Sequence, residues 1–379
     1  MNANSFATKR KRGGNAAAMK RLILILSGAA AALIVAAAAI LWFSPSVQDA
    51  VFARMVRAHL GTGHADLGRE DAMRVVLCGT GSPLPDPQRA SACTAVIAGD
   101  HMILIDAGAG STLRLSEMRL PLAKMDAVFL THLHSDHLGD LGNTALQGWL
   151  DGRKTALEIF GPVGTANVVA GYSAVFQADA GYRIAHHGAA NLPPDGSKLM
   201  AHEIATPGPH EAVKVYDRDG MTVEAFLVDH HPVAPAFGYR VSYKGRVVVL
   251  SGDTRPNANV EHFAQGADLL IHEALNKSMV AMLSDGLNEN GIHRLGQMMH
   301  DTISYHTSPV DAAKIARKAN VRMLVFSHVV PPMPNALTRH IFMRGVAAAA
   351  GPVRTMLGHD GQLLTLPVGS KEIETRDLL

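Results

Sequence analysis

Short apolar runs, separated by glycines and polar turns, begin near residue 73 and continue almost to the carboxyl end of the chain. Such runs predict buried strands, whereas apolar positions three or four residues apart predict helices. The predicted strands cover residues 74–78, 94–98, 102–105, 127–130, 157–160, 222–228, 238–243, 247–251, 269–272, 323–327 and 361–366, and the predicted helices cover residues 110–118, 141–150 and 309–319. Two β-rich halves that each carry helices predict an α+β protein, an αβ/βα four-layer sandwich with two mixed sheets face to face and helices outside.

Two segments depart from this pattern. Residues 165–200 lack a clean period and contain Gly, Pro, Asn and Asp, so we expect an insertion that shapes the substrate pocket. Residues 276–305 match no motif. Upstream of the β-rich region, residues 47–60 predict an amphipathic helix and residues 61–71 a polar hinge.

The amino terminus is organised differently. Residues 1–21 hold six basic residues and no acid, and residues 22–43 form an uncharged apolar stretch of 22 residues. About 20 apolar residues in a helix span a bilayer, and a positive flank stays in the cytoplasm. We therefore predict a basic cytoplasmic segment (1–21), a transmembrane helix or uncleaved signal anchor (22–43), a stem (44–72) and a folded domain (73–379). The domain would lie in the periplasm, anchored in the inner membrane by a single pass. A cleaved signal peptide is the alternative, although its apolar core is normally only about 7–15 residues.

Charge and cysteine content narrow the function. The formal net charge is +2, of which the first 21 residues contribute +6, so the remainder of the chain carries −4. This part of the chain lacks the net positive charge typical of nucleic-acid-binding domains. Within it, residues 151–226 hold six Lys or Arg against nine Asp or Glu. The two cysteines, Cys78 and Cys93, are too few to indicate a fold built on disulfides. We interpret them as buried core thiols, with pairing in an oxidising compartment as the alternative.

The densest group of polar residues follows the predicted strand 127–130. Residues 131–140 read Thr-His-Leu-His-Ser-Asp-His-Leu-Gly-Asp. Neutral imidazole nitrogen and carboxylate oxygen are zinc ligands at about 2.0–2.2 Å. His132 and His134 would project together, and Asp136 and His137 slightly further along, which suits two metal ions rather than one. A solvated histidine-rich loop is the alternative.

This motif resembles the H-x-H-x-D-H signature of the metallo-β-lactamase superfamily. Further elements resemble the branch of that superfamily that holds the tRNA 3′-processing nucleases (ribonuclease Z) and their arylsulfatase-like relatives. Those elements are residues 77–83 (Leu-Cys-Gly-Thr-Gly-Ser-Pro), 104–110 (Leu-Ile-Asp-Ala-Gly-Ala-Gly), 228–232 (Val-Asp-His-His-Pro), 251–256 (Ser-Gly-Asp-Thr-Arg-Pro) and 326–328 (Phe-Ser-His). The resemblance covers roughly residues 73–366 and implies the metallo-β-lactamase-like fold and a metal-dependent hydrolase.

The resemblance also implies seven metal ligands. One metal would be held by His132, His134 and His230, a second by Asp136, His137 and His328, and Asp253 would bridge the two. His231 competes with His230 for one ligand position and otherwise lines the pocket. The implied cofactors are two Zn²⁺ ions, with Mn²⁺ as the alternative.

Catalytic roles follow from the same resemblance. Two metals about 3.5–4 Å apart lower the pKa of a bridging water, and Asp136 can serve as ligand and base together. Residues 272–275 (His-Glu-Ala-Leu) resemble the His-Glu-Ala-Thr motif of ribonuclease Z, except that Leu275 offers no hydroxyl. Residues 306–308 (His-Thr-Ser) resemble its companion His-Ser-Thr element. We expect His306 to be the proton donor or anion stabiliser and Glu273 to orient a histidine, with His272 as the alternative donor.

Several functions are compatible with these residues. The main hypothesis is a membrane-anchored dinuclear zinc hydrolase that cleaves phosphodiester or sulfate ester bonds of a small substrate outside the cytoplasm, and a homodimer is left open. A ribonuclease Z-type tRNA 3′-processing endonuclease is an alternative, opposed by the anchor, by the acidic segment 151–226 and by the lack of a recognisable Gly/Lys-rich arm. A lactonase and a non-catalytic, membrane-tethered metal-binding module are the remaining alternatives.

Overall fold

The computed structural model describes residues 5–60, 66–68 and 70–379, without the side chains of residues 5–17, 59 and 60. The chain divides into two compact units, Met1–Gly63 and His64–Leu379. The predicted basic segment 1–21 and the predicted hinge 61–71 lie partly outside the described residues.

The first unit contains two helices, α1 (Ser5–Phe43) and α2 (Pro45–Leu60). Within α1, Ala18–Phe43 is long and apolar enough to cross a membrane, and none of it is buried. Signal sequences share this length and composition, so the membrane anchor stays a prediction. The helix predicted over residues 47–60 is confirmed as α2.

The strands of the second unit form two sheets. In chain order they are β1 (Ala72–Gly79), β2 (Cys93–Ala98), β3 (His101–Ile105), β4 (Met125–Phe129), β5 (Leu157–Gly161), β6 (Leu199–Glu203), β7 (Ala212–Arg218), β8 (Met221–His230), β9 (Val233–Tyr243), β10 (Arg246–Leu250), β11 (Leu269–Leu275), β12 (Met323–Val330), β13 (Arg354–Leu357), β14 (Gln362–Pro367) and β15 (Glu374–Asp377). Their helices are α3 (Ser111–Glu117), α4 (Ser135–Leu138), α5 (Leu141–Leu150), α6 (Thr165–His187), α7 (Ala258–Phe263), α8 (Lys277–Glu289), α9 (His293–Thr302), α10 (Pro309–Lys318), α11 (Ala336–Phe342) and α12 (Val346–Ala350).

The two sheets give the predicted layered architecture. The first has the order β15-β14-β1-β2-β3-β4-β5-β6 and the second the order β13-β12-β11-β10-β9-β8-β7. A buried apolar cluster that includes Phe129, Phe237 and Val325 lies between the sheets. A second cluster joins α10 and α12 to the outer face of the second sheet, and a third joins α3 and α5 to that of the first. The α+β sandwich prediction is therefore confirmed for the described residues.

Parallel pairing determines where a site can form. Strands β3 to β6 pair in parallel in the first sheet, and β10 to β13 do so in the second. The carboxyl ends of neighbouring parallel strands meet at one edge of a sheet, which is where open α/β sheets place their ligands. The loops after β4, β10 and β11 and the end of β12 all lie at these edges.

Two features differ from the sequence predictions. Residues 165–187 of the predicted insertion form the regular helix α6, which the sequence analysis did not predict. Only Thr165 and Val169 of that helix are buried, so it has almost no apolar stripe for a periodicity argument to detect. Cys78 and Cys93 are not separate thiols but form a disulfide, because β1 and β2 pair antiparallel and bring their Cα atoms to 5.0 Å.

Candidate metal centre

Seven side chains from distant parts of the sequence meet at the carboxyl edges of the two sheets. Four come from the loop after β4 and the short α4, one from the end of β8, one from the turn after β10 and one from β12. They are His132, His134, Asp136, His137, His230, Asp253 and His328, and we call this set the centre. The structure thus brings together every residue that the resemblance implied as a ligand.

The centre is arranged as two connected groups. Ligand atoms of His132, His134 and His230 lie within 4.8 Å of one another, and so do those of Asp136, His137 and His328. Asp253 lies between the groups, with its Oδ2 3.4 Å from His137 Nε2, 3.3 Å from His328 Nε2 and 3.9 Å from His230 Nε2. This is the arrangement expected of a carboxylate that bridges two cations.

Burial shows that these atoms need a partner that the chain does not provide. The side-chain atoms His137 Nε2, His230 Nε2 and Asp253 Oδ1 are buried and have no hydrogen-bond partner. Leaving a buried polar group unpaired costs about 1–3 kcal/mol. Three such atoms within one group of ligand-type residues fit divalent cations coordinated by nitrogen and oxygen.

Electrostatics supports the same fit. Burial lowers the pKa of His132, His134 and His230, so these rings are neutral and offer a lone pair. Burial acts in the same direction on His137, but the carboxylates of Asp253 and Asp106 outweigh it and raise the pKa of that ring well above its ordinary value. The carboxylates around the second group therefore favour positive charge there, which a bound cation would supply in place of the ring proton.

A buried network behind the centre fixes the orientation of the rings. Asp106 Oδ2 lies 2.8 Å from His137 Nδ1 and accepts the hydroxyl of Thr131 at 2.9 Å, while Asp106 Oδ1 accepts the Thr131 backbone N–H at 2.8 Å. Thr131 Oγ1 is also 3.0 Å from His132 Nδ1. With Nδ1 engaged behind them, both rings turn Nε2 toward the centre, as second-shell carboxylates arrange at metal sites.

The backbone next to the centre leaves no room for ordinary side chains. A Cβ at Gly108 would lie 2.1 Å from the carbonyl oxygen of Asp136, because the turn after β3 passes directly beneath α4. Two residues with side chains adopt left-handed backbone conformations here, Asp106 at φ 62° and His328 at φ 45°. Such conformations cost about 1–3 kcal/mol each and are concentrated at functional sites.

The residues predicted to handle protons occupy different positions. His306, in the loop before α10, is buried and lies 3.3 Å through Nδ1 from Glu273 Oε1, without hydrogen-bond alignment. Glu273 Oε1 accepts the backbone N–H of Thr307 at 2.7 Å, which fixes the loop that carries His306. His272 is fully buried within β11 and is not among the residues that line the cavity above the centre, so the structure favours His306 over His272 as the group in contact with substrate.

A cavity of about 400 Å³ opens onto the centre, and His134, Asp136, Asp253, His306 and His328 form its floor. His230 is buried in the centre, whereas its neighbour His231 is exposed in the β8–β9 turn and does not line this cavity. The structure therefore places His230 with the ligands and removes His231 from both the ligand position and the pocket.

Sequence reasoning missed two residues that support the site. The backbone carbonyl of Tyr305 lies 3.3 Å from His230 Nδ1, which turns Nε2 of that ring toward Asp253. The buried Asp360 accepts hydrogen bonds from the backbone N–H groups of Thr80 and Ala90 and holds the loop whose residue Ser82 lines the cavity. The sequence could not reveal either contact. The first is made by a backbone carbonyl, and Asp360 is 280 positions away from Thr80.

The comparisons with known proteins agree with this geometry. The profile of the "Beta-lactamase superfamily domain" matches residues 101–329. The chain belongs to the metallo-β-lactamase superfamily. It is 39% identical over 291 residues to a protein named Ribonuclease Z from Mycolicibacterium paratuberculosis, an alignment that covers 76% of this chain and 96% of that relative.

Solved structures show the same superfamily fold. The metallo-beta-lactamase fold protein YhfI from Bacillus subtilis matches with a TM-score of 0.55 at 19% identity, over 78% of this chain and 100% of that one. The short form of human tRNase Z matches with a TM-score of 0.54 at 23% identity, over 78% of this chain and 100% of that one. The family expectation is therefore confirmed, and the chain is a superfamily hydrolase with ribonuclease Z relatives.

Proposed function

We propose that this protein is a metal-dependent phosphodiesterase of the ribonuclease Z type. The observation that carries the proposal is the pair of ligand groups that meet at Asp253 on the floor of an open cavity. The substrate class is supported by 39% identity to relatives named Ribonuclease Z across nearly their whole length. This proposal takes the phosphodiester cleavage of the ribonuclease Z alternative rather than sulfate ester cleavage, because the relatives named above are ribonuclease Z proteins.

Two Zn²⁺ ions are proposed as the cofactors, with His132, His134 and His230 around one, Asp136, His137 and His328 around the other, and Asp253 shared. Bound metal would supply Lewis acidity to a phosphoryl oxygen and activate the attacking water. Asp136 faces the cavity and lies 3.1 Å from His328 Nε2, so its carboxylate can accept a proton from that water.

His306 is proposed to give a proton to the leaving oxygen. It lines the cavity, and its Nδ1 is turned toward the buried Glu273 carboxylate, which leaves Nε2 for the substrate side. Glu273 acts as the positioning residue, because its other contacts fix the backbone of the loop after Tyr305.

The compartment of the reaction is part of the proposal. A basic segment before the apolar Ala18–Phe43 favours a catalytic domain outside the cytoplasm. The buried Cys78–Cys93 disulfide also favours an oxidising compartment. An extracytoplasmic enzyme would meet RNA fragments or small phosphodiesters rather than cytoplasmic tRNA precursors.

The test is a hydrolysis screen with the full chain in detergent and added Zn²⁺ or Mn²⁺. Substrates are a bis-aryl phosphate, a tRNA precursor with a 3′ trailer, an aryl sulfate and a lactone. We expect phosphodiester cleavage that His230→Ala abolishes and that the matched variant His231→Ala, one position away but exposed, leaves intact. Turnover of the sulfate or lactone alone, or equal activity in both variants, would contradict the proposal.

A further inference from the structure

One wall of the cavity above the centre is built by α9, which forms a helical hairpin with α8 in a segment that matched no sequence motif. Helices α8 and α9 pack against each other and against the ends of β11 and β12 through a small apolar cluster that includes Leu275, Val280 and Met299. This wall turns Leu295, Met298 and Met299 toward the cavity, and Leu84 and Val330 line it as well. The space beside the centre is therefore bounded by flexible thioether and aliphatic side chains.

An aromatic ring lies where this wall meets the centre. The ring of Tyr305 is 5.2 Å from the His230 ring and 4.9 Å from the His306 ring, measured between centroids. A flat substituent can lie between this ring and the methionines, with contacts of the kind that aromatic groups and thioethers prefer.

The charged side chains that line the cavity are unfavourable to a second anion, and Arg294 of α9, which contacts the sulfur of Met298 at 3.5 Å, is not among them. Among the described residues that line the cavity, none is a lysine or an arginine, and the one charged side chain from α9 is Asp301. Ligand pockets typically measure about 300–1,000 Å³, so a cavity of about 400 Å³ is at the small end. It has room for a phosphate at the centre and one ring beside it, not for a run of phosphates.

From these observations we infer that the α8–α9 wall binds one uncharged, apolar or aromatic substituent of the substrate phosphate and selects against a second phosphate beside it. In an RNA substrate the group bound there would be one nucleobase, joined to the phosphate through its ribose. The inference rests on the proposed phosphodiesterase function and adds the chemistry of the group next to the reacting phosphorus. Met298 and Asp301 would be its specificity-determining residues, the first by apolar contact and the second by repulsion.

The test measures binding without turnover. The full chain in detergent, loaded with Zn²⁺, is titrated calorimetrically with methylphosphonate, phenylphosphonate and benzene-1,4-diphosphonate. We expect phenylphosphonate to bind about tenfold more tightly than methylphosphonate, in the range that a small apolar contact provides. Met298→Ala should remove most of that preference, and Met282→Ala, an exposed methionine of α8 outside the cavity, should leave it unchanged.

A probe with two phosphonate groups tests the predicted selection against a second anion independently. We expect benzene-1,4-diphosphonate to bind several-fold more weakly than phenylphosphonate, and Asp301→Lys to reverse that order while Asp285→Lys, an exposed control on α8, does not. Equal affinity for the methyl and phenyl probes, no binding of either, or no effect of Met298→Ala would overturn the inference. The expected preferences in a protein that hydrolyses no phosphodiester would instead overturn the proposed function alone.

Discussion

His306 has two potential roles at the level of a single residue, because it lies near the centre without belonging to either ligand group. Its ring nitrogens come within 4.8 Å of His230 and Asp253 on one side and of Glu273 and His328 on the other. A proton donor and a metal ligand differ in what their removal changes. We expect His306→Ala to lower kcat about 10²–10⁴-fold for poor leaving groups and least for nitrophenolate, with metal content unchanged.

The measurement is a leaving-group series of phosphodiesters, with metal analysis of each variant at saturating zinc. His300→Ala, an exposed histidine on the neighbouring α9, is the matched control and should behave as the wild type. A defect of equal size for good and poor leaving groups, or loss of metal along with activity, would show that His306 is a ligand or a structural residue.

Gly108 tests how tightly the backbone beneath the centre is packed. A Cβ there would meet Asp136 O at 2.1 Å and Ala92 N at 2.8 Å, and neither backbone atom can move without displacing α4 or β2. We expect Gly108→Ala to lower the free energy of unfolding by at least about 2 kcal/mol, as overpacking does. Denaturant unfolding of Gly171→Ala provides the contrast, since that glycine of α6 has open space around it and should gain up to about 1 kcal/mol. A neutral Gly108→Ala would show that the turn can move.

The sequence was sufficient to predict which side chains meet at the centre where those residues belong to a motif. His132, His134, Asp136 and His137 are close together in the chain, and the remaining candidate ligands follow strand-like runs, so their meeting could be expected from the sequence. The hydrogen bonds that orient these side chains could not be predicted in the same way. Asp106 was visible only as part of a motif, and its two hydrogen bonds to Thr131 depend on how the turn after β3 passes beneath α4.

At the scale of elements, a polar clamp joins the two sheets at His101. This first residue of β3 contacts Asp126 on β4 through Nδ1 and Asp219, in the β7–β8 turn of the other sheet, through Nε2 at 2.7 Å. Burial opposes protonation of the ring, but the hydrogen bonds with both carboxylates outweigh it and raise the pKa of His101. The ion pair therefore stabilises the fold fully below the ordinary histidine pKa, near 6.5, and its contribution is lost as the pH rises through the higher folded pKa.

We therefore expect the unfolding free energy of the wild type to fall as the pH rises from about 6 through the folded pKa of His101, and this fall to be smaller in His101→Gln. Chemical denaturation at a series of pH values measures it. His340→Gln, an exposed histidine of α11, should keep the wild-type profile. Parallel profiles for wild type and His101→Gln would show that the clamp is not coupled to folding.

Elements were predictable where they carry a buried stripe. The strands β4, β10 and β12 read as apolar runs because they are almost wholly buried. Helix α6 is mostly exposed and rich in small residues, so its sequence resembled a loop. The α8–α9 hairpin packs mainly against itself and the strand ends, and its position over the centre is a tertiary property that no local pattern contains.

At the scale of the whole molecule, the proposed topology has the folded unit outside the cytoplasm. Positive charge concentrated before Ala18–Phe43 predicts that the amino terminus stays in the cytoplasm and that residues after the helix cross. Reporter domains fused after Asp71 should be active only where the reporter functions in the periplasm. Because the four basic residues Lys9, Arg10, Lys11 and Arg12 provide most of the flank, replacing them with serine should weaken the orientation, whereas replacing Asn2 and Asn4 should not.

The redox state of Cys78 and Cys93 gives a second, independent measure of the same topology. In a periplasmic domain the two buried sulfurs should resist alkylation until the protein is denatured and reduced, whereas in the cytoplasm they should be free thiols after denaturation alone. A reporter active only in the cytoplasm, together with free thiols, would contradict the predicted topology. It would also place the centre in the compartment of tRNA precursors. The predicted anchor would then no longer argue against a tRNA precursor as the substrate.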